Sequence, residues 1–169
     1  MGQTRIISGV ARGRKISVPP RGTRPTSDRA REGLFSSLAV RFGFEGRRVL
    51  DLFAGSGALG LEAASRGAEE VVLVDESPAA VETIRRNIEV VGHPRVSVVE
   101  MKASSYVASA QAGYFDMVLA DPPYDLSDEA VNEMVRALLP CLRDGAAVIV
   151  ERHVDSPNTD WPQCLVPTT

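Results

Sequence analysis

The stretch Asp51-Leu52-Phe53-Ala54-Gly55-Ser56-Gly57-Ala58-Leu59-Gly60 decides the fold. It follows the apolar pair Val49-Leu50 and runs on into Leu61-Glu62-Ala63-Ala64, so a buried strand passes into a helix through a glycine-rich turn. Gly55, Gly57 and Gly60 satisfy the spacing G-x-G-x-x-G in the strand-to-helix setting which that pattern requires. Glycines let the chain turn sharply and approach a ligand closely, and the helix start near Ala58 offers unpaired N–H groups to an anion. Twenty residues beyond Gly55, Asp75 closes the next apolar run, where a carboxylate can accept hydrogen bonds from both ribose hydroxyls. An adenosine ligand fits these features. Asp51 narrows the choice, because it lies in the strand end itself, where it would repel a dinucleotide pyrophosphate and would hold the ammonium of a methionine moiety. The loop therefore points to S-adenosylmethionine.

Outward from this loop the pattern alternates. Strands are expected over residues 49–53, 71–74, 96–99, 115–120 and 146–151, with helices over 58–66, 78–91, 103–111 and 128–139 between them. The last helix is the clearest, with Val131, Met134, Val135, Leu138 and Leu139 on one side. Apolar runs without period-two alternation mark strands covered on both faces, and strands that alternate with helices imply a parallel sheet with right-handed crossovers. The expected class is α/β, a doubly wound, mostly parallel Rossmann-like sheet of the S-adenosylmethionine-dependent methyltransferase kind. Its ligand should lie beyond the carboxyl ends of the strands, where the strand order reverses.

The fourth strand ends in Asp121-Pro122-Pro123-Tyr124. Each proline fixes its own φ and restricts the residue before it, so a carboxylate, a carbonyl oxygen and an aromatic ring are held in fixed relation. That set suits an exocyclic amine on a flat base: Asp121 and the Pro122 carbonyl accept its N–H bonds while Tyr124 stacks on the ring. Such an amine is a poor nucleophile, since its lone pair is delocalised into the ring. Two acceptors draw it towards a tetrahedral geometry, and the protein contributes mainly positioning and electrostatics.

The N-terminal region has a different character. Residues 4–8 and 14–18 read as two short strands joined through Gly9 and Gly13, and Pro19 to Pro25 as an extended linker. A helix capped by Thr26 or Ser27 follows, with Ala30, Leu34 and Leu38 on its apolar side. Net charge is −3 for the 169 residues, yet residues 1–48 hold 11 Lys/Arg against 3 Asp/Glu, whereas residues 49–169 hold 8 against 19. Ten of the eleven early cations are Arg, which grips phosphate bidentately, so a polyanionic partner is expected. No apolar run approaches the roughly 18 residues of a membrane span, and the first 15 residues carry no secretory signal. Cys141 and Cys164 form no metal-spaced cluster with His93 or His153. A cytoplasmic monomer without metal is expected.

Taken together, Arg5-Ile6-Ile7-Ser8-Gly9, Arg12-Gly13-Arg14-Lys15, the segment from Arg24-Pro25-Thr26-Ser27-Asp28-Arg29 to Phe35, the loop Asp51 to Gly60 and Asp121 to Tyr124 resemble the RsmD family, bacterial 16S rRNA guanine-N2 methyltransferases. The resemblance covers roughly residues 5–151. It implies S-adenosylmethionine as cofactor and the N2 amine of one guanine in 16S rRNA, or in the assembling 30S subunit, as target. It implies further that Asp51, Ala54, Gly55, Gly57 and Asp75 line the cofactor site, with Thr26 closing over it. Asp121, Pro122 and Tyr124 hold the base, and Arg5, Arg12, Arg14, Lys15, Arg24 and Arg29 meet the RNA.

The expected organisation is a basic hairpin and linker over 1–25, a methyltransferase domain over 26–151 and an irregular, shortened tail over 152–169. Family members end there in an antiparallel strand pair, which the sequence of the tail does not match beyond Trp161-Pro162. After the third strand, Glu100-Met101-Lys102 offers no clear acidic contact for adenine. Two rivals are a catalytically lapsed RNA-binding assembly protein and a DNA adenine-N6 methyltransferase. RNA affinity is expected to fall steeply from low to moderate salt as the gain from counterion release shrinks. A salt-independent affinity in a filter-binding titration would remove the Arg-rich segment from the RNA surface.

Overall fold

The computed structural model describes residues 2–18, 28–123, 125–152 and 162. The elements in chain order are β1 (Gly2–Arg5), β2 (Lys15–Val18), α1 (Asp28–Arg41), β3 (Arg48–Leu52), α2 (Ala58–Ser65), β4 (Glu70–Asp75), α3 (Pro78–Val91), β5 (Val96–Glu100), α4 (Ala103–Ser109), β6 (Phe115–Ala120), α5 (Asp128–Leu138) and β7 (Leu142–Val150). Strands β3 to β7 form one parallel sheet in the order β5-β4-β3-β6-β7. The chain winds outward from β3 to β5, then returns to start β6 on the other side of β3. The order therefore reverses between β3 and β6, and in sheets of this kind the ligand crevice lies at the carboxyl ends of the strands that flank the reversal. The doubly wound α/β class expected from the alternation is the one observed.

The central strands β3, β4 and β6 are buried on both faces, which is why they read as apolar runs. Val49, Val71, Leu73, Met117 and Leu119 face a cluster shared with Leu61, Ala64 and Ile84 of α2 and α3. Leu50, Leu52, Val72, Val74, Val118 and Ala120 face Val107 of α4 and Val131, Val135 and Leu138 of α5. Ser77 and Ser127 cap α3 and α5 by accepting the N–H of Ala80 and Ala130, and Pro78 stands in the first turn of α3.

β7 begins four residues before its expected start, since Leu142 already pairs with Phe115. Asp144-Gly145 looks like a turn in sequence, but Gly145 takes a positive φ of 80° and the β6–β7 register shifts beside it. The ladder absorbs the irregularity as a bulge instead of ending.

The hairpin β1–β2 is antiparallel, with Gly2 opposite Val18 and Arg5 opposite Lys15. Of the strands expected over 4–8 and 14–18, the first stops sooner because Ile7 and Ser8 give their N–H groups to another partner. Both donate to the buried carboxylate of Glu62 on α2, at 2.8 and 3.1 Å. Ser65 donates its hydroxyl to the Ser8 carbonyl and accepts the Ala11 N–H, and the Val10 N–H reaches the Ser65 carbonyl. Gly9 sits so close that a Cβ there would lie 1.9 Å from the Ser65 carbonyl oxygen, and its φ is +91°. Ile6, Ala11 and Ile16 join the main core with Phe35 and Leu38. A fully buried side chain of isoleucine size contributes about 1.5–3 kcal/mol, so the hairpin is held by apolar burial as well as by polar bonds.

On α1 the buried side is Arg31, Phe35 and Leu38, with Ala30 exposed, which corrects the expected stripe of Ala30, Leu34 and Leu38. Arg31 is drawn inward because its guanidinium donates to the Thr4 hydroxyl and the Arg5 carbonyl. Other early cations also serve the fold. Arg47 donates to the carbonyls of Phe42 and Gly43 after α1, and Arg48 pairs with Glu69 and stacks over Tyr114. Among the described residues no helix is long and apolar enough to cross a membrane.

Gly9→Ala is expected to lower stability by about 2 kcal/mol or more, through both the clash and the positive φ. In a chain of this size that is a fall in Tm of about 4–8 °C by thermal denaturation. An unchanged Tm would show that the hairpin loop is not seated on α2.

Candidate active site at the strand-order reversal

Asp51 is the pivot of the crevice. It lies in β3 on the α2 side of the sheet, fully buried, and its Oδ2 accepts the Gly60 N–H at 2.9 Å. Gly60 must be glycine for that approach: a Cβ there would lie 2.3 Å from Leu73 and 3.0 Å from Asp51 Oδ2. The other carboxylate oxygen, Oδ1, is buried and accepts no hydrogen bond among the described residues. Burial pushes the Asp51 carboxyl up to about 8, the nearby carboxylates of Asp121, Asp75 and Glu151 push the same way, and the Gly60 N–H opposes them.

The loop from Phe53 to Gly57 is fastened at several points. Ala54 N–H donates to the Val74 carbonyl, Gly57 N–H to the Ala54 carbonyl, and Ala58 N–H to the Ser56 hydroxyl. Asp75 ends β4 and accepts the Gly55 N–H on Oδ2 and the Ser77 N–H on Oδ1, both at 2.9 Å. One carboxylate thus closes the glycine loop and starts α3. Each oxygen still has a lone pair for a ligand hydroxyl. Gly57 caps α2 with a φ of 83° and no side-chain acceptor, and the first N–H groups of α2 are partly taken up within the protein, that of Ala58 by the Ser56 hydroxyl and that of Gly60 by Asp51. Phe53 has a φ of 59°, a conformation that costs a bulky residue of order 1–3 kcal/mol and persists only where its surroundings impose it.

Leu52 and Ala120 are opposite in the β3–β6 ladder, so Phe53 and Asp121 leave adjacent strand ends side by side. Pro122 is buried behind Asp121, and the turn continues with the Leu126 N–H donating to the Pro123 carbonyl. Glu151 N–H donates to the Ala120 carbonyl, which brings its side chain to the same end of the sheet. The structure therefore gathers Asp51, Ala54, Gly55, Gly57, Asp75, Asp121 and Pro122 around one crevice. Tyr124, Thr26, Arg24 and the tail beyond Arg152, except Pro162, lie outside the described residues.

Sequence reasoning missed Phe53, Glu151 and Asn87. The signal for Glu151 was available: it follows the fifth strand as Asp121 follows the fourth. Asn87, in mid-helix, gave no local sign. Of the expected RNA residues, Arg5, Arg12, Arg14, Lys15 and Arg29 are exposed. Arg14 donates from one guanidinium nitrogen to the carbonyls of Val90 and Val91, so part of its donor set stabilises the end of α3.

The sheet order, the glycine loop after its central strand and the acidic end of that strand define a Rossmann-like α/β protein of the methyltransferase class. The chain belongs to the family described as Conserved hypothetical protein 95, the RsmD family, whose model matches residues 4–169. Ribosomal RNA small subunit methyltransferase D of Escherichia coli strain K12 is 39% identical over 158 residues, covering 92% of this chain and 77% of its own. The structure of a hypothetical protein of Thermus thermophilus superposes with a TM-score of 0.82 at 35% identity, covering 92% of this chain and 89% of that one. The fold alone extends further. Phosphoethanolamine N-methyltransferase 1 of Haemonchus contortus, solved with S-adenosylhomocysteine, shares it at a TM-score of 0.64 and 21% identity, over 75% of this chain and 26% of that one.

Because the Asp51 carboxyl titrates near 8 in the folded chain and near 3.8 when unfolded, the native state holds a proton that the unfolded chain has released between those values. The associated stability is present in full below about pH 4 and is lost as the pH rises through about 8. Asp51→Asn is therefore expected to gain in Tm over the unsubstituted protein progressively from pH 5 to pH 8 in the absence of ligand. A difference in Tm that does not change with pH would show that Asp51 is not the buried titrating group.

Proposed function

We propose that this protein transfers a methyl group from S-adenosylmethionine to the exocyclic N2 amine of a guanine in 16S rRNA, as a step in making the small ribosomal subunit. The observation that carries the reading is the buried Oδ1 of Asp51 at the strand-order reversal, which accepts no hydrogen bond among the described residues and lies near the carboxylates of Asp121, Asp75 and Glu151. An acidic crevice of this kind favours a cationic ligand and disfavours a pyrophosphate. S-adenosylmethionine carries both an ammonium and a sulfonium, and its ammonium would give Asp51 Oδ1 the donor it lacks. The names of the relatives support rRNA as substrate.

In this reading Asp51 holds the methionine ammonium. Ala54, Gly55 and Gly57 let the backbone lie against the cofactor, Asp75 takes the ribose hydroxyls, and Thr26 closes over the methionine end. When bound, the cofactor supplies an electrophilic methyl group. Asp121 and the Pro122 carbonyl accept the two N–H bonds of the guanine amine and turn its lone pair towards that methyl, and Tyr124 stacks on the base. The amine proton becomes acidic only as the new N–C bond forms, so Asp121 serves as hydrogen-bond acceptor with no need for a strong base beforehand. Arg5, Arg12, Lys15 and Arg29, with Arg14 and Arg24, bind the RNA backbone and set the distance from the hairpin to the target base. The hairpin, the methyltransferase domain and the tail divide the work at about residues 25 and 151.

Labelled methyl transfer to small subunits lacking the modification, followed by nucleoside analysis, is expected to yield N2-methylguanosine. Label in N6-methyladenosine would keep the amine chemistry and overturn the base. Asp121→Ala is expected to reduce transfer by about a hundredfold or more with little change in cofactor affinity, since it removes an acceptor from the reacting amine alone. Full activity in that variant would remove the proposed amine contact.

A further inference from the structure

Asn87 lies in the middle of α3 and is 1% exposed, yet it is polar and belongs to neither the cofactor loop nor the hairpin. All of its hydrogen-bonding groups point out of its own helix. Its Oδ1 accepts the Ser17 N–H of β2 at 2.8 Å, and its Nδ2 donates to the Ser17 carbonyl at 2.9 Å and to the Ser56 carbonyl of the glycine loop at 2.8 Å. The three partners leave only one orientation of the amide, because an N–H needs an acceptor and two carbonyls need donors. No other residue type reproduces this set at this length: Asp lacks the two donors, Leu lacks all three functions, and Gln places them one methylene further out. A buried amide with every bond satisfied is held rigidly, and losing it would strand three backbone groups.

We infer that Asn87 is a positioning residue that ties the basic hairpin to the glycine loop, so that seating the hairpin and shaping the cofactor site are one event. The inference rests on the reading that the glycine loop binds S-adenosylmethionine. Ser56 stands between Gly55 and Gly57, which take positive φ values of 61° and 83°. The carbonyl of Ser56 is anchored by Asn87 and the N–H of Gly55 by Asp75, so the peptide planes between them are fixed from two directions. The hairpin is clamped independently onto α2, the helix that starts from the same loop, by Glu62 and Ser65. Both clamps terminate on elements that shape the cofactor crevice. By linkage, whatever steadies the hairpin on RNA tightens the cofactor, and the cofactor in turn tightens the hairpin by the same factor.

Asn87→Ala in the full chain is compared with Val135→Ala, a buried position of α5 in the cluster on the other face of the sheet, which contains no hairpin residue. Both should lose Tm. S-adenosylmethionine affinity, measured by calorimetry on protein shown to be folded, is expected to fall at least tenfold in Asn87→Ala and to stay within twofold in Val135→Ala. Equal affinities in the two variants would overturn the inference and leave the proposed function standing. Absence of binding by the unsubstituted protein would sink the proposed function itself, and the inference with it. Should Asn87→Ala fail to fold, amide hydrogen exchange on the unsubstituted protein decides the matter: the cofactor is expected to slow exchange at Ser17 and across β1–β2 as well as in the glycine loop. Protection confined to residues 51–60 would overturn the inference.

Discussion

The contact on which the rest depends is the hydrogen bond from the Gly60 N–H to the buried carboxylate of Asp51. A charged group in the middle of a parallel sheet is costly, and one N–H bond offsets only part of that cost. The remainder is left standing as a carboxyl whose proton is hard to remove. Around this one side chain the chain has little freedom. Gly60 admits no Cβ, α2 must lie close against β4, and the loop between β3 and α2 must turn within a few residues, through Phe53 in a conformation that costs it energy. The site is a place where stability has been given up, which is the usual condition of a group reserved for a ligand.

Much of this was legible in the sequence, for reasons that can be named. Strands covered on both faces have few polar positions, so Val71-Val72-Leu73-Val74 and Met117-Val118-Leu119-Ala120 declare themselves by composition, and the helices between them by their caps and periodicity. Asp51, Asp75 and Asp121 stand at strand ends, where register brings them together as soon as the sheet order is known. What was not legible depended on partners distant in the chain. The end of β1 is set by Glu62, more than fifty residues away, and the inward turn of α1 by the Arg5 carbonyl accepting from Arg31. Asn87 looks like any polar residue on an amphipathic helix until β2 and Ser56 are placed beside it.

The charge pattern shows how composition can overstate a surface. The early segment carries a large excess of arginine, but several of these side chains are building material. Arg31 lies inside the core, Arg47 closes the end of α1, and Arg14 shares its guanidinium with the last carbonyls of α3. Arginine suits both tasks because its stem packs against apolar groups while its planar head serves several carbonyls at once. Among the described residues the exposed early cations are Arg5, Arg12, Arg14, Lys15, Arg29 and Arg41, most of them on the hairpin.

The clamps on the hairpin span long stretches of chain: Ile7 to Glu62, Ser17 to Asn87, Arg14 to Val91. On the ribosome the hairpin emerges before the helices it packs against. It must wait until α3 is complete, so the segment made first settles late. A nascent chain interrupted within α3 would carry a basic, unseated arm and an unfinished glycine loop together. Completion of α3 supplies Asn87 to both at once, so the arm and the loop share the moment at which they become ordered.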